Sequence, residues 1–146
     1  MKLTVNECLD NKETEIVINC SVMDQRLKQL IRYIRQYTFS LEGMLGDARH
    51  IVPLEEIYYI ESVDGRTFLY CDQNVYESGE TLAFLEKQLE SSTFVRVSKN
   101  CILNLSLLES LRSFLNHRIE ATMKNGERLM VTRNYLEQFK MRVGEL

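Results

Sequence analysis

The chain has 146 residues, 45% hydrophobic and 27% charged, with a net charge of −3; it can bury one core and carry a small appendage, but not two full-sized domains, and this composition excludes a largely disordered polypeptide. The charge is divided: residues 1–90 hold 9 basic and 16 acidic side chains, a net −7, whereas residues 91–146 hold 9 and 5, a net +4, so an anionic partner is sought in the later part. Polar residues break up residues 1–7 where a signal peptide needs a continuous apolar run, and a cytoplasmic location is expected.

In chain order, residues 1–5 and 15–20 have the length and pattern of strands on either side of the turn-like Asp10-Asn11-Lys12. Met23, Leu27, Leu30, Ile31 and Ile34 then fall on one stripe of an amphipathic helix spanning about residues 21–37, with Ser21 or Asp24 available to cap it. Arg26, Lys28, Arg32 and Arg35 lie mostly off that stripe and read as a solvated face. A strand at 38–45 completes a strand-strand-helix-strand appendage over residues 1–45. Strand signals dominate from His50-Ile51-Val52-Pro53 onward. Residues 57–62 and 67–71 flank Asp64-Gly65, a dipeptide that accepts the positive φ of tight hairpin turns. A strand at 74–77 comes next, then a short helix opened by Ser78-Gly79 with Leu82, Leu85 and Leu89 on one seam, and then a strand at 94–97.

Residues 118–124 and 127–132 surround Asn125-Gly126, a second hairpin. A two-residue loop puts Ile119 and Ala121 on the face opposite Leu129 and Val131. A three-residue loop, with Gly126 left-handed as a bulge, opposes Met123 to Glu127 and gathers all four on one side. The second register is expected. Residues 134–143 close as a helix, with Tyr135, Leu136 and Phe139 turned to the core. Cys8, Cys20, Cys71 and Cys101 are widely spaced, and His50 and His117 are the only histidines; reduced thiols in or near cores are expected, with no metal and no cofactor. No glycine-rich phosphate loop, Gly-x-Ser-x-Gly or histidine cluster is present. No catalytic residue is therefore assigned, and the chain reads as a non-enzyme.

The informative stretch is residues 94–105, Phe-Val-Arg-Val-Ser-Lys-Asn-Cys-Ile-Leu-Asn-Leu, followed later by Asn125-Gly126-Glu127 and Val131-Thr132-Arg133-Asn134-Tyr135-Leu136. These linked motifs resemble the LytTR family. Its pattern is Phe-x-Arg-Val, then His or Ser, a basic residue, Ser and a β-branched pair before Asn, with Asn-Gly-Glu and Val-Ser-Arg-x-Tyr-Leu downstream. Asn100, Leu103 and Thr132 depart from it. The resemblance covers about residues 45–143. It implies a mainly β fold with short helices, α+β overall, in which an elongated stack of small antiparallel sheets forms a DNA-binding domain over residues 46–146. Loops of that domain enter successive major grooves.

On this resemblance Arg133 and Lys99 are the expected base readers, because a guanidinium fork or an ammonium can donate to guanine O6 and N7. Arg66, beside Asp64-Gly65, is a third. Arg96, Ser98, Asn100 and Asn134 suit phosphate or positioning contacts, and Asn104 reads as a local cap or turn residue. The implied partner is double-stranded promoter DNA bearing repeats, bound by a homodimer because one small module offers few base contacts. The competing reading is a protein-interaction or ligand-sensing module without DNA binding that works through the acidic appendage. About 45 residues before the domain cannot hold a phosphoacceptor receiver domain of ordinary size. Control is therefore expected through the appendage, by dimerisation or by a partner protein, which is membrane-bound for some stand-alone members of the family.

Overall fold

Two antiparallel sheets carry the fold in a computed structural model that describes residues 1–12 and 14–144, without the side chains of residues 35–38, Arg35 among them. Helix α1 (Gln25–Thr38) leads into β1 (Ser40–Leu45), β2 (Ala48–Pro53), β3 (Ile57–Val63), β4 (Arg66–Cys71) and β5 (Val75–Ser78). Helix α2 (Leu82–Gln88), β6 (Phe94–Ser98) and β7 (Cys101–Asn104) follow. These seven strands form one sheet in the order β2-β1-β5-β4-β3-β7-β6. Strands β8 (Leu108–Phe114), β9 (Arg118–Met123) and β10 (Arg128–Val131) make a second sheet in the order β10-β9-β8, and α3 (Leu136–Gly144) closes the described chain. The mainly β architecture with short helices is the one expected.

Strands β3, β6 and β7 are covered on both faces. Ile57, Ile60, Phe94 and Ile102 point into a core shared with Leu82, Leu85 and Leu89, on α2 and its C-cap. Tyr59, Val95, Val97, Cys101 and Leu103 point the other way, into a second core filled by Ala121, Met123, Val131 and Phe139. Successive side chains of a strand face opposite sides, so a strand between two cores has no polar face. Cys101-Ile102-Leu103 accordingly reads as an unbroken apolar run, a pattern that does not by itself separate strand from helix. Strand β7 went unrecognised for that reason. Each fully buried aliphatic side chain in these layers contributes about 2 kcal/mol relative to leaving it exposed.

Both predicted hairpins form. Val63 pairs with Arg66 across a turn in which Asp64 and Gly65 have φ of 52° and 78°. In the second hairpin the Gly126 N–H donates to the Met123 carbonyl at 2.9 Å and the Met123 N–H to the Glu127 carbonyl at 2.8 Å. Gly126 has φ of 88°, and Ala121 pairs with Leu129 and Ile119 with Val131. This is the three-residue register, and it turns those four side chains to the second core.

The N-terminal region differs from expectation. Residues 1–12 and 14–24 contain no strand, in contrast to the pair predicted at 1–5 and 15–20. The intervening turn does close, with the Asn11 N–H donating to the Cys8 carbonyl at 3.1 Å. Leu3, Val5, Ile16 and Val17 are nevertheless exposed; two strands without a third or a helix face to cover them are marginal in water. Cys8 and Cys20 are exposed as well, which corrects the expectation that all four thiols lie in or near cores, whereas Cys71 is half-buried and Cys101 buried. Asp24 caps α1 by accepting from the Leu27 N–H at 2.8 Å. Leu27 of the predicted stripe is buried, but Met23 and Leu30 stay exposed. Strand β1, assigned to the appendage from sequence, is a middle strand of the large sheet, hydrogen-bonded to β2 and β5. Gly43 permits this, because a Cβ there would stand 2.7 Å from Tyr76 Cβ. Among the described residues no helix is long and apolar enough to cross a membrane.

Candidate nucleic-acid interface

Strand register brings three turns to one end of the large sheet. Strand β3 pairs with β4 through Ser62 and Thr67 and with β7 through Glu61 and Cys101. The Ser62 N–H donates to the Asn100 carbonyl at 2.8 Å, so the Asp64-Gly65 tip and the Ser98-Lys99-Asn100 turn lie side by side. The Thr132 N–H donates to the Val97 carbonyl at 2.9 Å. That bond sets Arg133, which opens the 3₁₀ turn Arg133–Tyr135, against the end of β6.

Lys99 and Arg133 are both exposed, as are Asn100 and Asn134. The Ser98 hydroxyl accepts from the Asn100 N–H at 3.3 Å and closes the turn that presents Lys99. Arg96 points inward: its side chain is only 13% exposed and pairs with Glu86 at 3.0 Å. Its Nε donates to the Ser98 carbonyl at 2.8 Å and its Nη2 to the Lys99 carbonyl, while the guanidinium stands 5.7 Å from the Tyr135 ring centre. Arg96 therefore braces the turn backbone from within. Arg66 is exposed, but its fork holds Glu77, with Nε to Oε1 at 2.7 Å and Nη2 to Oε2 at 3.1 Å. Of the three expected base readers, two offer their cations to solvent and the third is engaged by a carboxylate.

The LytTr DNA-binding domain model matches residues 47–144. The chain belongs to the LytTR family. Among its relatives are the sensory transduction protein LytT of Enterococcus faecalis, 26% identical over 67% of this chain and 40% of that protein, and LytT of Bacillus anthracis, 30% identical over 62% of this chain and 37% of that one. The transcriptional regulatory protein LytR of Staphylococcus aureus is 26% identical over 73% of this chain and 44% of its own length. The chain thus spans about 40% of the length of the curated relatives it matches first. A solved LytTr DNA-binding domain from Bacillus cereus superposes with a TM-score of 0.69 at 21% identity, covering 73% of this chain and 98% of that one, and it shares the fold.

Within this LytTR domain, Asn104 is wholly buried. Its Nδ2 donates to the carbonyls of Ile57 at 2.9 Å and Leu54 at 3.3 Å; its Oδ1 accepts from Thr93 Oγ1 at 2.6 Å and from Ser106 N and Oγ at 3.1 and 2.8 Å. It caps the 3₁₀ turn Leu105–Leu107, the local role expected of it. Burial pushes the Cys101 thiol up to about 12, aided by the Glu61 carboxylate and opposed by Arg96. Burial likewise raises Cys71 to about 11, with Glu56 contributing. Both are protonated at neutral pH, the form that neither ligates metals nor attacks. Among the described residues no group of three His, Cys, Asp or Glu side chains could hold a metal ion.

Strand β9 falls within the strand expected at 118–124, whereas β8, and with it the β8–β9 hairpin, has no counterpart among the expected elements. Arg118 follows the turn at residues 115–117 and directly precedes the Ile119–Val131 pair. Its signal in the sequence was the basic pair Arg112 and Arg118 around Phe114.

Proposed function

We propose that this LytTR chain is a cytoplasmic, non-catalytic transcription regulator that recognises duplex DNA by sequence, with Lys99 and Arg133 reading guanine edges in the major groove. Support comes from the main-chain bond between Thr132 and Val97, which fixes two exposed cations on neighbouring turns. Ser98, Asn100 and Asn134 serve phosphate or positioning contacts, and Arg96 acts by holding the Lys99 turn. Arg66 reads a base only after leaving Glu77. Two copies occupy adjacent promoter repeats, since one module of this size makes few base contacts.

Selection of bound duplexes from a random pool, followed by mobility shifts at several salt concentrations, tests this reading. Arg133→Ala is expected to weaken binding to the selected site by about 1–3 kcal/mol and to broaden the selected sequence. Wild-type affinity and selectivity in a Lys99→Ala/Arg133→Ala variant would refute the assignment.

A second role falls to residues 1–45, as the regulatory or dimerising part of the chain. The exposed apolar side chains of Leu3, Val5, Ile16 and Val17 favour contact with a second copy or a partner protein there. Sedimentation of a Val5→Asp/Val17→Asp variant that matches wild type, alone and on DNA, would remove the dimerising role.

A further inference from the structure

The β8–β9 hairpin has a surface that neither core requires. Strand β8 is exposed from Glu109 to Phe114. Its register with β9 opposes Leu111 to Ala121 and Ser113 to Ile119 on the core side, and Arg112 to Glu120 and Phe114 to Arg118 on the outer side. The guanidinium groups of Arg112 and Arg118 lie 5.4 and 5.9 Å from the Phe114 ring centre, within the range of cation–π attraction. Arg112 also pairs with Glu120 at 3.2 Å. Arg118 Nε donates to the Leu115 carbonyl at 3.4 Å, and among the described residues no carboxylate pairs with it. Asn116 and His117, with φ of 62° and 55°, form the turn, and Leu115 at the tip is 79% exposed.

The position of this tip follows from the register. Arg118 directly precedes Ile119, the partner of Val131, and Val131 leads into Thr132, the residue bonded to Val97 and followed by Arg133. The hairpin therefore projects past the same end of the molecule that presents Lys99 and Arg133, and its outer face carries two stacked guanidinium groups. Stacking on Phe114 restricts their rotamers before any ligand arrives, which lowers the ordering cost of binding. A guanidinium fork matches the oxygens of a phosphodiester.

We propose that the β8–β9 tip is a second DNA-contact surface, in which Arg118, and Arg112 on exchanging Glu120 for a phosphate, hold backbone phosphates of the duplex flanking the bases read by Lys99 and Arg133. This rests on the DNA-binding reading above and adds to its footprint.

Two duplexes test it: the selected site alone, and the same site extended by about ten base pairs, roughly one helical turn, on each side. Wild type is expected to bind the extended duplex more tightly and with a steeper salt dependence. Arg112→Ala/Arg118→Ala is expected to lower the log–log salt slope on the extended duplex by about 2, at close to 0.9 per phosphate, and to shorten its hydroxyl-radical footprint, while binding the bare site as wild type does. Arg112→Lys/Arg118→Lys, which keeps both charges, should retain most of the slope. An alanine variant with unchanged slope and footprint overturns the hairpin's role and leaves base reading intact; equal losses on both duplexes overturn the flanking placement. Failure of the wild type to bind either duplex overturns the underlying reading instead.

Discussion

The two halves of the large sheet solve different problems. Strands β2, β1 and β5 keep one side toward solvent, with Ile51 78% and Val75 44% exposed, whereas β3, β7 and β6 lie between two cores. The turn between β6 and β7 has its main chain bonded to neighbouring segments, Asn100 to Ser62 and Val97 to Thr132; it presents Lys99, and the 3₁₀ turn tied to it presents Arg133, both exposed to solvent. The Asp64-Gly65 turn, which joins β3 to β4 and so leads toward the half-exposed side of the sheet, carries Arg66, which a carboxylate on the adjacent strand β5 has captured. An exposed cation beside a tight turn is thus not equally available in the two places. Both turns leave strands that lie between two cores, so the acids within reach on the adjacent strand decide how a cation is offered.

Perturbing each half in turn sharpens this comparison. The largest effect is expected for Leu103→Ala, a fully buried position of β7: about 3 kcal/mol of lost stability by urea unfolding, against less than about 1 kcal/mol for Met44→Ala on the half-exposed β1. Equal losses would break the distinction. Asn104→Ala should cost about 2–3 kcal/mol, because it leaves the buried carbonyls of Ile57 and Leu54 and the Thr93 hydroxyl without that partner. Glu77→Gln should alter stability by less than about 1 kcal/mol, since the Arg66 pair is largely solvated, yet raise the salt slope of DNA binding by up to about 1 as Arg66 is released. An unchanged slope would keep Arg66 out of the interface. The smallest perturbation is chemical: at pH 8 a thiol reagent should label the exposed Cys8 and Cys20 quickly and Cys101 only on unfolding, because the raised pKa keeps Cys101 protonated well above that pH. Above pH 9 the unfolded chain ionises this thiol while the folded chain does not, so stability should decline there.

What the sequence disclosed follows from how local each cause is. Asp64-Gly65 and Asn125-Gly126 predicted their hairpins because positive φ is a property of the residues themselves, and period two along 119–131 selected the correct register. Strands β7 and β8 were missed for opposite reasons with the same result: β7 is buried on both sides and β8 is exposed along nearly its whole length, so neither shows the alternation that marks a half-buried strand. Residues 1–5 and 15–20 do alternate or run apolar, but a strand also needs a pairing partner, and among the described residues none pairs with them. In the candidate interface, the motif pointed to Lys99 and Arg133, and both lie exposed on neighbouring turns. The capture of Arg66 by Glu77 and of Arg96 by Glu86 depends on which strand or helix lies alongside, and no local pattern encodes that.

The tie between Val97 and Thr132 is made by a carbonyl and an N–H, atoms that every residue at those positions except proline at 132 would supply. Neither position 99 nor position 133 takes part in it. Under the proposed base-reading role, descendants of this gene can exchange those two side chains, acquire a different target preference and inherit the geometry unchanged, so that diversification of targets leaves the scaffold intact.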